Sequence, residues 1–262
     1  MFPEKSIRKP ISAKAIAAYS LLFLTTTLAQ EKSIALGGSF GYSALQMSAV
    51  NSTLDRTVFD WNRFFGLSMK PFDHFAWSTT ASIRLSYRYD VEYAFLVSYA
   101  QFESQVQNKF DDFGEDGNRY LVSLDRSLAA QYVSGGVIYF FPPLIYNAEA
   151  YAFVEAGSVS AKADAKSFGT ETVKVADTTS TSVFYDTKRS YGSAKLFLGF
   201  GGGLSVAIAG PIRLYAEASY KFAKVGKMDG VVTVDAGTYE EPSITEFDFS
   251  ILSISVGLSV NL

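Results

Sequence analysis

Hydrophobicity along this chain repeats at every second residue in segment after segment, and that period decides the fold class. Ile83, Leu85, Tyr87 and Tyr89 alternate with Ser82, Arg84, Ser86 and Arg88; Tyr93, Phe95, Val97 and Tyr99 alternate with Glu92, Ala94, Leu96 and Ser98. Leu214, Ala216, Ala218, Tyr220 and Phe222 alternate with Arg213, Tyr215, Glu217, Ser219 and Lys221. Leu252, Ile254, Val256, Leu258, Val260 and Leu262 alternate with Ser253, Ser255, Gly257, Ser259 and Asn261. Successive side chains of a strand point to opposite faces, so each segment has one apolar face and one polar or small face. Weaker versions cover 34–46, 148–159 and 195–207, and 128–141 is apolar on both faces. The total is about eight strands of roughly ten to fourteen residues, long enough to cross a bilayer when tilted. No amphipathic helix of useful length is expected beside them.

The connections between these segments alternate long and short. Residues 47–75, 103–126, 160–190 and 223–245 are long, whereas 89–92, 142–147 and 209–212 are short. A membrane barrel inserted from the periplasm has this asymmetry, with short turns inside, long loops outside and both termini periplasmic. In a soluble sandwich the charge-free faces would leave an exposed apolar band larger than water tolerates. The expected fold is therefore all-β, a closed antiparallel transmembrane β-barrel of about eight strands in an up-and-down meander.

The N-terminus reads as an export signal. Lys5, Arg8, Lys9 and Lys14 precede an apolar run over 15–24, and small residues lead to a cleavage point after Ala29. Ten apolar residues are too short for a membrane-spanning helix, and no run of about 18 follows. The expected organisation is a cleaved signal at 1–29 and a barrel domain at 30–262 with four long external loops. Cleavage removes four positive charges and one negative, taking the net charge from −3 to −6.

That acidity excludes nucleic acid as a partner, since phosphate binding needs a basic surface. The absence of cysteine excludes disulfides, thiol catalysis and thiolate metal sites, and a single histidine makes an imidazole metal site improbable. No cofactor, metal or catalytic residue is expected.

Three segments resemble the small outer-membrane β-barrel superfamily, which includes the OmpA-like transmembrane domains, OmpX and the opacity-type proteins. Tyr151-Ala152-Phe153-Val154-Glu155-Ala156-Gly157 resembles its aromatic-led fifth strand, and Leu198-Gly199-Phe200-Gly201-Gly202-Gly203-Leu204 its glycine-alternating sixth. Arg213-Leu214-Tyr215-Ala216-Glu217-Ala218-Ser219-Tyr220 resembles the next strand after a tight Gly-Pro turn. The resemblance implies a place in the outer membrane of a Gram-negative-type envelope, contact with its lipid, and delivery to the insertion machinery through the C-terminal strand. That strand ends in Leu262 where the superfamily usually has Phe or Trp, and no peptidoglycan-binding domain is expected after it.

Eight strands enclose a lumen only wide enough for side chains. The residues expected to line it are Arg84, Arg88, Glu149, Glu155, Lys195, Arg213, Glu217 and Lys221. Charges of both signs on neighbouring strands favour a salt-bridged core over a one-sign selectivity ring. Tyr87, Tyr89, Tyr93 and Tyr99 are expected at the membrane interfaces.

The only imidazole, His74, has Asp73 beside it and Ser78 nearby, but neighbours on an extended segment point to opposite faces. The Asp111-Asp112 and Glu115-Asp116 clusters lack the ligand order of a calcium loop and read as solvated. Loop 47–75 is unusually apolar, with Val58, Phe59, Trp61, Phe64, Phe65, Leu67 and Phe72, and is expected to cover the mouth, enter the lumen or form a binding surface. Loop 160–190 is the other candidate surface for an external ligand. Three function classes remain: a structural or surface-interaction barrel, which is favoured, a narrow porin-like channel, and a lipid-modifying enzyme.

Overall fold

A computed structural model describes residues 33–142, 148–175, 178–234 and 236–262. The expected signal at 1–29 and most of the turn at 142–147 lie outside the described residues. Eight antiparallel strands close into a hydrogen-bonded ring: β1 (Ser33–Leu45), β2 (Trp77–Arg88), β3 (Tyr93–Phe113), β4 (Arg119–Phe140), β5 (Ala148–Val175), β6 (Thr178–Ala209), β7 (Ile212–Phe222) and β12 (Ile251–Asn261). Each pairs with its neighbour in sequence, and β12 pairs with both β7 and β1 to complete the circle. Closure leaves no sheet edge in the ring, which a bilayer requires because it offers backbone groups no hydrogen bonds.

The ring's outward residues are apolar. Phe95, Val97, Val154, Leu198, Phe200, Ile254, Val256 and Leu258 are all exposed, a band that a soluble monomer does not carry. Among the described residues no helix is long and apolar enough to cross a membrane. The crossing is made by strands, and the fold is a transmembrane β-barrel of the outer-membrane type. Tyr89, Tyr93, Phe95, Tyr139 and Phe141 form a chain of ring contacts at the end carrying the short turns, with centroids 4.9 to 6.2 Å apart. Tyr87 is exposed on the same rim, whereas Tyr99 sits higher, donating to Gln101 Oε1 at 2.9 Å where outward residues of β3 turn polar.

Three of the expected long connections carry regular structure. First, the apolar segment 47–75 is not an irregular loop: it contains helix α1 (Ser48–Phe65), 18 residues long, whose Val50, Leu54, Val58 and Trp61 form a buried stripe. The helix ends at Gly66 in the left-handed conformation (φ 60°), the usual helix terminator because glycine has no Cβ to clash there. Asn51 bonds the backbone of Phe75, and Asn62 that of Met69, each both donating and accepting at 2.9 to 3.2 Å. These bonds tie the helix to the chain that follows it.

Second, 103–126 and 160–190 are hairpin arms. Strands β3 to β6 run for 21, 22, 28 and 32 residues, about two to three times the bilayer-crossing length, so they stand beyond the ring as a sheet. Third, 223–245 contains short strands. The chain leaves the ring after β7, forms β8 (Lys224–Gly226), returns to pair with β6 as β9 (Asp229–Val234), and turns through β10 (Gly237–Glu240). It then pairs with β8 as β11 (Phe247–Asp248) before entering β12.

One large apolar core follows from these additions. Phe75, Phe102, Tyr132, Phe197, Phe249 and Met228 are buried where the ring meets the arms, and the α1 stripe packs above them. Trp61 meets Phe184 and Tyr185 of β6 at 5.8 and 5.1 Å between ring centres.

Candidate functional site

The inward residues of β5 are placed by the glycines of β6. Tyr151, Phe153 and Glu155 stand directly opposite Gly203, Gly201 and Gly199. A Cβ added at these glycines would come within 2.6 to 2.8 Å of those three side chains. The glycine alternation is thus a trough in the wall, and large β5 side chains lie across it.

Four ion pairs cross the interior. Arg84 of β2 grips Glu217 of β7 through two contacts of 2.7 and 2.9 Å, and Tyr151 donates to the same carboxylate at 3.0 Å. Glu149 of β5 receives Arg88 of β2 at 3.2 Å and Arg213 of β7 at 2.9 Å. Glu155 of β5 pairs with Lys221 of β7, and its other oxygen accepts from Ser98 and Ser134 at 2.9 and 2.5 Å. β2 and β7 are not neighbours in the ring, nor are β2 and β5, nor β5 and β7. Bonds between such strands run through the space the ring encloses. Arg84 and Arg88 also lie over the rings of Phe153 and Phe140, at 4.8 and 4.1 Å.

Four cations therefore share three carboxylates: Arg84, Arg88, Arg213 and Lys221 with Glu149, Glu155 and Glu217. The remaining expected lining residue, Lys195, is exposed and has no ion pair among the described residues. It stands opposite Val159 on the inward side of β6, where that strand has left β9 at Gly192 and does not meet β7 until Leu198. With no strand beside it on the side away from β5, the lysine reaches water. That is a correction to its expected place in the lumen.

Beside the Arg88–Glu149–Arg213 cluster, and reaching Arg84 and Tyr151, is a cavity of about 90 Å³, bordered also by Ser86, Ser205 and Tyr215. It is polar and roomy enough for several waters. Above Glu155 the lining changes to the apolar layer of Phe102, Tyr132, Phe197 and Phe249.

His74 has a partner that sequence reasoning missed. Its Nε2 lies 3.0 and 3.1 Å from the two carboxylate oxygens of Asp55 on α1, at an exposed position. Ser78 instead donates to the Glu103 carbonyl at 2.6 Å. The acidic β3–β4 turn is internally satisfied: Asp111 pairs with Arg119 at 2.8 Å, and Asp116 accepts from Tyr120 and Asn118. The Tyr120 hydrogen bond holds the Asp116 carboxyl below the usual range. Among the described residues no group of three His, Cys, Asp or Glu side chains is arranged to hold a metal ion.

No protein-family model matches the chain. No curated protein matches it in sequence. Solved structures with similar architecture are small outer-membrane barrels. A major outer membrane protein of Thermus thermophilus is 9% identical with a TM-score of 0.46, the match covering 89% of this chain and 100% of that one. OprG of Pseudomonas aeruginosa is 8% identical with a TM-score of 0.46, covering 89% and 97%. Neisserial surface protein A is 13% identical with a TM-score of 0.39, covering 88% and 99%.

Proposed function

We propose that this chain is a sealed outer-membrane barrel that works through binding at its extended end, with that end outside the cell and both termini periplasmic. The observation that carries the reading is the filling of the interior in two layers. All three enclosed carboxylates are ion-paired, and the apolar layer with α1 above it closes the mouth. A conducting pore needs a continuous polar path, and a packed apolar layer is a barrier to ions. The extended end, by contrast, offers a broad sheet, a helix and outward aromatic side chains such as Phe59 and Phe64. The exposed His74–Asp55 pair has neither Asp73 nor Ser78 hydrogen-bonded to it, and the function proposed is not enzymatic.

Planar-bilayer recording of the purified, refolded protein tests this. The expected result is a silent bilayer at potentials up to about 100 mV, a driving energy of about 2.3 kcal/mol per charge. Regular unitary steps in wild-type protein would overturn the sealed-lumen reading and favour the channel.

A further inference from the structure

The extended end contains a second charged cluster, which lies outside the lumen and whose two arginines make no ion pair among the described residues. Arg126 of β4 and Arg189 of β6 both stand opposite Ala165 of β5, in one row across three strands on the inward face. The alanine between them leaves a hollow, and α1 passes over it with Thr57, Asp60 and Trp61. Two adjoining cavities, about 170 and 460 Å³, share Thr57, Asp60, Arg126, Ala165 and Arg189. The larger one is of the size that takes a small organic ligand.

Neither arginine has an ion-pair partner among the described residues. Arg126 is fixed by the carbonyls of Asp125 and Lys166 at 2.9 and 2.8 Å and by Ser167 Oγ at 3.0 Å, which orient the guanidinium without neutralising it. Arg189 Nε is buried with no hydrogen-bond partner. The carboxylates nearby are engaged elsewhere: Asp60 lies 3.8 Å from Arg56, Asp164 lies 2.9 Å from Lys162, and Asp125 accepts from Gln107. Burial, reinforced by the charge of Arg189, pulls the Arg126 guanidinium down to about 10. Two guanidiniums facing one hollow with no ion pair to either are costly, and a bound anion relieves both the repulsion and the unmet donor.

We propose that this hollow binds the oxyanion group of a small acidic molecule, a phosphate, sulfate or carboxylate held between Arg126 and Arg189. Arginine's planar fork suits such groups, and two forks from strands on either side of Ala165 form a clamp. The row lies six residues beyond Val159 along β5, about 20 Å at 3.3 Å per residue, which places it past the apolar band. That position favours a soluble ligand over a lipid headgroup. The inference rests on the binding role proposed for the extended end, and supplies its ligand chemistry.

The test uses full-length mature protein folded in detergent, so its outcome does not depend on conductance or orientation. The chain has two tryptophans, and Trp77→Phe leaves Trp61, at the hollow, as the sole tryptophan reporter. Titration with inorganic pyrophosphate at low salt is expected to change Trp61 fluorescence saturably. Arg126→Gln and Arg189→Gln are each expected to weaken binding about tenfold or more, the loss of one charged hydrogen-bonding group. Lys188→Gln, outward on the same strand as Arg189, is expected to leave affinity unchanged, and Asp60→Asn to tighten it. Arg189→Met covers a folding failure of the polar variants: it is expected to equal or exceed wild type in melting temperature without anion, and to lose the pyrophosphate-induced rise. Anionic-lipid micelles in place of pyrophosphate are expected to give no Arg189-dependent change; a change there would overturn the choice of a soluble ligand. No saturable response, or one equally weakened by Lys188→Gln, would overturn the anion site. Unitary conductance alongside intact pyrophosphate binding would overturn the sealed barrel alone.

Discussion

Strand β5 passes through two environments that require opposite chemistry on the same pair of faces. In its first half, Ala152, Val154 and Ala156 point outward while Tyr151, Phe153 and Glu155 point inward. In its second half, Lys162, Asp164 and Lys166 point outward while Val159, Ala161 and Ala163 are buried. Between 148 and 169 the pleat does not slip, because Ser158 and Ser160 continue the ladder with β4 and β6 without a break. Only the solvent changes. Facing lipid, a small barrel puts carbon outside and is left with a lumen that tolerates charge if each carboxylate is paired; facing water, the same sheet reverts to an apolar inner face, which α1 covers.

The largest expected effect tests the lumen side of this contrast. Glu155→Ala leaves Lys221 buried and unpaired and is expected to cost about 3–5 kcal/mol, measured by urea unfolding in vesicles. Replacing both residues with methionine is expected to recover most of that loss, because the unpaired charge goes too. A somewhat smaller effect compares the outward faces. Val154→Arg places a charge in the lipid band and is expected to cost about 2–4 kcal/mol. The smallest is at the outward position ten residues on, where Asp164→Arg is expected to change stability by less than about 0.5 kcal/mol. Equal costs at Val154 and Asp164 would mean that the two halves share one environment.

The ring was legible in the sequence because its signal is local: period two assigns each residue of 82–89, 92–99, 213–222 and 252–262 to a face. The arms were harder to see. Along 160–166 the buried set is only alanines between polar residues, so the alternation survives with little hydrophobic amplitude and reads as a polar loop. Helix α1 did carry its 3.6-residue stripe in Val50, Leu54, Val58 and Trp61, but Phe59 and Phe64 on the opposite side blurred it into general apolarity. Seven of the eight charges chosen for the lumen enter ion pairs across the enclosed space. Their partners were not readable, since the period fixes a side chain's face and not the strand opposite. Lys195 shows the same limit: its face follows from the period, its exposure from a gap between β9 and β7. Arg126 and Arg189 carry no local signal at all; only the register through Ala165 brings them together.

The reversal along β5 can be measured directly, because the chain has no native cysteine. Single substitutions Ala152→Cys, Val154→Cys, Ala156→Cys, Lys162→Cys, Asp164→Cys and Lys166→Cys, each spin-labelled in vesicle-folded protein, report collision with oxygen in lipid against a polar nickel complex in water. Lipid-type collision is expected at 152, 154 and 156 and water-type collision at 162, 164 and 166, with the change falling at 158–160. Water-type collision at all six positions would contradict a lipid-facing ring, and lipid-type collision throughout would contradict arms standing clear of the membrane.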